Sequence, residues 1–228
     1  MRHNENNPFI YHPAIISGTV ASVGLAAAVA ALLFFAWLSE EMLKGDTAAF
    51  DSSVREFVHA HSSESLTKVM QGSTFAGSTL FLTIITVLVL TIFVYGRHWW
   101  SATVFSVMMA GALILNLVLK TSFARDRPTT YFDTPVPSSY SFPSGHALFS
   151  LCFYFSLGWI ITRHLERRRS RAGVWLLTAI VVGAVGLSRI YLGVHYPSDV
   201  LAGYTAAFIW LIAVAAGDRW LSLHKDKI

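Results

Sequence analysis

Apolar residues gather into six runs along the chain, at about Ala14–Leu38, Gly72–Tyr95, Arg97–Lys120, Ser144–Thr162, Gly173–Leu187 and Ser198–Gly217. A helix needs about 20 apolar residues to cross a bilayer, so each run is a candidate span, the last three being the shortest. Backbone groups in lipid must bond within their own segment, and runs this long and unbroken predict helices rather than barrel strands. The first run is longer than the apolar stretch of a cleaved signal peptide and has only Arg2 before it, so a retained helix is expected. The first inter-run stretch, about Ser39–Gln71, has a different periodicity: Phe50, Val54, Phe57 and Val58 share one helical face, which predicts a short amphipathic helix lying at the membrane interface. The stretch from Lys120 to Pro143 carries four prolines with Tyr131, Phe132, Tyr140 and Phe142, and is expected to be irregular with aromatic anchors. The expected fold is therefore all-α: a polytopic membrane protein of six transmembrane helices, with an amphipathic interfacial helix in its first outer loop, forming one domain over residues 1–228.

Composition agrees with that picture. Of 228 residues, 54% are hydrophobic and 13% are charged, about half the charged share of a soluble domain. Net charge is +4, but the arginines are clustered rather than laid along a groove, which argues against nucleic acid as a partner. Five of them lie in Arg163–Arg171. With six spans, that cluster shares a side with Arg2, Arg97, Arg219, Lys225 and Lys227, so the positive-inside rule places both termini in the cytoplasm. Cys152 is the one cysteine, which excludes an intramolecular disulfide and a cysteine metal cluster.

Ionisable groups at the ends of membrane helices are the first candidates for function. The topology gathers three such groups on the outer side. Lys120, Arg127 and Pro128 follow helix three; Pro143, Ser144, Gly145 and His146 open helix four; Ser188 and Arg189 close helix five, ahead of His195 and Asp199 at the start of helix six. Lys120, Arg127 and Arg189 are cationic donors suited to phosphate oxygens. Ser144 is a candidate N-cap, and Gly145 lets an oxyanion approach the free amides at the positive end of the helix. Pro197 is expected to be the first residue of its helix, so that Asp199, in the first turn, can accept a hydrogen bond from the His195 imidazole and fix its tautomer.

The string K-x6-R-P, P-S-G-H, S-R-x5-H-x3-D resembles the three-part signature of the type 2 phosphatidic acid phosphatase superfamily, and all three parts are complete and in order. The six-span layout is similar to the membrane lipid phosphatase branch over nearly the whole chain, with the catalytic motifs within residues 120–199. The resemblance implies a phosphatase without cofactor or metal. In it, His195 is the nucleophile that forms a phosphohistidine, Asp199 orients it, and His146 serves as general acid and then base. Lys120, Arg127, Ser144, Gly145 and Arg189 hold the phosphoryl group. Its partners are the bilayer and a lipid phosphate: undecaprenyl pyrophosphate (favoured for a bacterial source), phosphatidylglycerol phosphate or phosphatidic acid. A phosphotransferase passing the group to a lipid acceptor such as lipid A uses the same residues, and an anion transporter is a third reading. The expected location is the cell membrane, with the active site on its extracytoplasmic side.

Other polar residues read more plainly. His3, His12, His59, His61, His98, His164 and His224 are expected to be interfacial side chains. His59 and His61 lie near Glu56 and Glu64, but their spacing puts the two rings on different helical faces. Arg125 and Asp126 either pair locally or meet a head group, and Asn116 is expected to bond a neighbouring helix. Ala179 and Gly183 suggest close packing of span five, and Trp99, Trp100 and Trp220 an interfacial belt.

Overall fold

The computed structural model describes residues 13–225, with side chains from 22 to 221, so that Arg2, His3, His12 and Lys227, and the side chains of His224 and Lys225, fall outside it. Eight helices follow in order: α1 (Pro13–Lys44), α2 (Ala48–Ala60), α3 (Glu64–Ala76), α4 (Thr79–Tyr95), α5 (Trp99–Phe123), α6 (Gly145–Arg163), α7 (Arg168–Tyr191) and α8 (Pro197–Lys225). No strand occurs among the described residues. Five helices are long and apolar enough to cross a membrane, and a sixth span exists if α3 and α4, bent by 46° at Gly77–Ser78, count together.

The apolar runs became helices, but the second boundary moved. Residues 64–71, expected as loop, form the first half of α3. Ser63 caps it, accepting the amide of Leu66 at 3.3 Å, and Glu64 sits in the first turn where the helix dipole favours an acid. Ser78 caps α4 in the same way, accepting from Phe81.

The inner bundle is made by α5, α6 and α8, whose Met108, Ala112, Leu148, Cys152, Ala206, Ala207 and Leu211 form one buried cluster. Helix α1 packs along α8, α7 along α6, and α3 along α7. A second cluster, Leu82, Phe105 and Phe153, attaches α4 to α5 and α6. Outward faces remain apolar: Leu80, Ile84, Val87 and Ile92 of α4 and Leu113, Ile114 and Leu117 of α5 are exposed, as lipid contact requires. In lipid, close backbone approach and interhelical hydrogen bonds hold helices together better than apolar area does. Both are present, since Trp210 Nε1 donates to the Met108 carbonyl at 3.0 Å across α8 and α5.

The close approaches are not where Ala179 and Gly183 suggested. Both are exposed, and Gly183 has open space around it. Span five is instead tight at Gly186, against Tyr204, and a tight glycine that meets backbone is Gly203 on α8, where an added Cβ would stand 2.6 Å from the Ser144 carbonyl oxygen and 3.1 Å from Ala147 Cβ. Its absence lets α8 lie against the first turn of α6. Gly203→Ala is expected to push these helices apart and destabilise the protein by roughly 1–3 kcal/mol, since a backbone carbonyl cannot swing aside as a side chain can. Thermal unfolding in detergent measures this, and an unchanged midpoint would contradict it.

Successive antiparallel helices put the C-termini of α5 and α7 and the N-termini of α6 and α8 at one end of the bundle. At the opposite end, Asp218 of α8 accepts from Trp100 Nε1 of α5 at 2.6 Å and lies 3.8 Å from the Arg163 guanidinium of α6. Arg97, the Arg163–Arg171 cluster and Arg219, the described basic residues used for orientation, thus gather at one end and the three motifs at the other. The aromatic loop between α5 and α6 is irregular, as expected, and is anchored by Phe142. That ring is fully buried against Phe35 and Phe123, at centroid distances of 6.0 and 4.9 Å.

Candidate active site

His195 lies in the short α7–α8 connection. Gly193 makes that turn with φ +74, a left-handed conformation that suits glycine, and Tyr131 closes over it. The His195 ring is 2% exposed, and Asp199, one turn on, is fully buried. Pro197 begins α8, which places Asp199 in its first turn. His195 Nδ1 is 3.3 Å from Asp199 Oδ2, and Nε2 is 3.2 Å from an Arg127 guanidinium nitrogen. A guanidinium only donates, so Nε2 must be the acceptor and Nδ1 carries the proton, donating it to Asp199. The Nε2 lone pair therefore faces the cationic side of the site.

Burial pushes the His195 pKa down to about 4 from 6.5; Asp199 opposes this, and Arg127 and Arg189 add to it. The folded protein thus binds this proton more weakly than the unfolded chain. Between pH 6.5 and about 4 the unfolded state takes it up first, so acid in that window favours unfolding and the native ring stays neutral. Titration by ¹⁵N NMR of the histidine rings is expected to keep His195 in the neutral Nδ1–H form down to about pH 5. A midpoint near 6.5 would contradict it.

Three cations converge on the same space. Lys120, buried at the end of α5, donates to the Tyr140 carbonyl and lies 3.5 Å from that of Ser141. Arg127 donates to the carbonyls of Ser139 at 2.6 Å, Val194 at 2.8 Å and Tyr140 at 3.2 Å. Burial lowers its pKa, with Asp199 offsetting part of the effect. Arg189, buried at the end of α7, donates to the Thr74 hydroxyl of α3, and its Nε has no hydrogen-bond partner. Ser144 precedes α6 with extended dihedrals, but its buried hydroxyl does not cap the helix and has no partner. Its amide instead donates to the Asp199 carbonyl at 2.9 Å, tying α6 to α8. Gly145 faces Asn116, whose Oδ1 would be 3.1 Å from an added Cβ. Asn116, expected to bond a neighbouring helix, touches α6 there, but its Oδ1 makes no hydrogen bond. His146, the second residue of α6, is half-buried, and its ring lies against Gly77 at the α3–α4 bend.

The eight residues singled out from the sequence therefore share one end of the bundle. Buried polar atoms normally find partners, so the orphaned Arg189 Nε and Ser144 Oγ mark a place where a ligand oxygen would fit. The first amides of α6 also lack intrahelical acceptors and add donors on that side.

Sequence reasoning missed other members. Arg125, expected to pair with Asp126 or meet a head group, turns inward: its guanidinium reaches Asp199 Oδ1 at 2.6 Å and Asp51 Oδ2 at 2.8 Å, while Asp126 is exposed. Ser141 donates to Asp199 Oδ2, as does the Tyr196 amide at 2.9 Å. His59, expected at an interface, stacks on Tyr131 with centroids 3.9 Å apart. A basic residue two before Arg127 offered no local sign of its partners, which are 74 positions away on either side.

Residues 106–221 match the family model of the PAP2 superfamily, and the chain belongs to that superfamily. It is 27% identical over 200 residues to phosphatidylglycerophosphatase B of Bacillus subtilis, an alignment spanning 87% of this chain and 98% of that protein. Against an undecaprenyl-diphosphatase of Sulfolobus acidocaldarius it is 36% identical over 122 residues, about half of each chain (51% and 50%). Its fold matches the crystal structure of a transmembrane PAP2-type phosphatidylglycerolphosphate phosphatase from Bacillus subtilis, with a TM-score of 0.77, 27% identity, and 84% and 96% of the two chains covered. The protein is thus a multi-pass membrane member of the family.

Proposed function

We propose that this protein is a membrane lipid phosphatase that hydrolyses a lipid phosphomonoester or pyrophosphate through a phosphohistidine on His195. The observation that carries the reading is the disposition of the His195 ring, with Nδ1–H held by Asp199 and the Nε2 lone pair turned toward Arg127. In the first step Nε2 attacks phosphorus and the bond to the lipid oxygen breaks, with His146 giving that oxygen its proton. In the second, water attacks phosphorus, His146 takes the water's proton, and the phosphorus–nitrogen bond breaks to release phosphate and neutral His195. Splitting hydrolysis this way replaces one difficult displacement by two easier ones. Phosphoryl transfer requires mainly positioning and charge neutralisation. Lys120, Arg127 and Arg189 supply fixed positive charge, and the hydroxyl of Ser144 and the amides from Gly145 onward complete the cradle. A bound phosphate takes over the donors that the carbonyls of residues 139–141 occupy in the free protein.

The reaction is assigned to the outer face of the cell membrane, with both termini cytoplasmic. The basic cluster Arg163–Arg171 at the far end of the bundle supports that orientation. A lipid then presents its phosphate at the boundary without leaving the bilayer. The names of the relatives, a phosphatidylglycerophosphatase and an undecaprenyl-diphosphatase, supply the first substrates to test. The test is phosphate release by purified protein in detergent, with EDTA present, from undecaprenyl pyrophosphate, phosphatidylglycerol phosphate and phosphatidic acid. Release from at least one, abolished by vanadate, is the expected result, and none from any of the three refutes the reading.

A further inference from the structure

Helix α2 lies outside the segment that matches the family model, yet it carries a buried acid. Its two phenylalanines are turned outward, Phe50 47% and Phe57 66% exposed, while Asp51 is 1% exposed. The Asp51 carboxylate accepts from the amide of Ser198 at 2.9 Å, from its hydroxyl at 2.7 Å and from Arg125 at 2.8 Å. Arg125 reaches Asp199 Oδ1 with its other terminal nitrogen, which also donates to Ser198 Oγ at 2.8 Å, and the guanidinium lies over the Tyr196 ring at 4.0 Å. Asp51, Arg125, Asp199 and His195 thus form one continuous chain from α2 to the imidazole.

The order of charges along this chain matters. When Nε2 forms a bond to phosphorus, the His195 ring becomes positive, and Asp199 is the anion beside it. Arg125 fixes Asp199 Oδ1 with one arm of a planar fork, leaving Oδ2 for the ring, but its positive charge alone would cancel that of Asp199. Asp51 on the other arm restores a net negative charge to the set of three. Buried as they are, these groups are little screened, and the excess charge is felt at the ring.

We propose that Asp51 and Arg125 are positioning residues that act through Asp199, holding its carboxylate in register and keeping it electrically negative toward His195. The proposal rests on the phosphatase reading and deepens it. A purely structural role for Asp51, capping the start of α8 through Ser198, makes a different set of predictions.

The experiment measures kcat and KM of the full-length protein in detergent on a lipid phosphate that it hydrolyses, with folding checked by thermal unfolding. Asp51→Asn keeps the shape and the acceptor for Ser198 but removes the charge. It is expected to lower kcat by about 10–100-fold with KM within about threefold of wild type, the size typical of losing a partner that orients a reacting group. Ser198→Ala, which weakens the cap and leaves both charges, is expected to stay within about threefold of wild type. Arg125→Gln should lose at least as much as Asp51→Asn, and the double variant should lose clearly less than the product of the two single losses, because both residues act on the one Asp199 carboxylate. Folded Asp51→Asn with wild-type kcat, or losses that multiply in the double variant, would overturn the proposal. If Asp51→Asn does not fold, Arg125→Lys carries the test: a single ammonium cannot bridge both carboxylates as the fork does, and an unchanged kcat there would likewise overturn it. His195→Ala is measured alongside. Wild-type activity in that variant sinks the reading of a phosphatase that works through His195, whereas an inactive His195→Ala beside a fully active Asp51→Asn sinks only the positioning role.

Discussion

His195→Ala is expected to lower phosphate release by about 10³-fold or more while leaving a folded protein. The ring is the one nucleophile the arrangement presents. Its Nε2 lone pair is turned toward Arg127, and the buried Asp199 stands behind its Nδ1. Alanine removes the covalent step and leaves only the charge of Lys120, Arg127 and Arg189, which positions a phosphate without attacking it. His195 is buried and hydrogen-bonded to Asp199, Arg127 and Ser141, so the unfolding midpoint should fall as well, but by far less than the activity does. The check is kcat on the best lipid substrate beside a thermal melt, and a variant that keeps a tenth of wild-type kcat would contradict the role.

Asp199→Asn should cost nearly as much, about 10²–10⁴-fold in kcat, the upper figure being the loss seen when the buried aspartate of a Ser-His-Asp triad is amidated. Both oxygens of Asp199 face donors only. Oδ1 accepts from Arg125, and Oδ2 from Ser141, the Tyr196 amide and His195 Nδ1. An asparagine has to set its NH₂ against one of these groups. Turned toward His195, it forces the ring into the other tautomer and removes the lone pair from Nε2. Turned toward Arg125, it opposes a guanidinium and leaves Asp51 to balance that charge alone. Disrupting a buried ion pair typically costs about 3–5 kcal/mol, so a lowered melting midpoint is expected together with the loss of kcat. Near-normal kcat in Asp199→Asn would refute the tautomer argument.

Much of this was legible in the chain. Apolar run lengths set the helices, and the alternation of ends brought Lys120, Ser144, Arg189 and His195 to one side before any side chain was placed. His195 and Asp199 were readable because their link is local: four residues apart at the start of a helix, with Pro197 between them. Asp51 and Arg125 were not, for a physical reason. Their pairing spans 74 residues and has no periodic signature, and the amphipathic pattern of α2 spoke for its outward, interfacial face and not for the acid on the inward one. In water, the apolar face of such a helix would be the buried one. Here Phe50 and Phe57 are outward, and the polar face with Asp51 turns into the protein. The α3 helix could have been found from Ser63 followed by Glu64, a capping pair ahead of Leu66, Val69 and Met70, but its polar residues Lys68 and Gln71 masked it beside the strongly apolar α4.

The central claim is that three separate segments build one phosphate cradle in which His195 becomes covalently phosphorylated. The most direct measurement is to mix wild-type protein with a lipid substrate labelled in its terminal phosphate, quench within the first turnover in alkali, where phosphohistidine survives, and locate the label by fragment mass. The account predicts a phosphoryl group on His195, absent in Asp199→Asn quenched at the same time. Label on any other residue, or first-turnover phosphate release with no protein-bound label at any time, would contradict it.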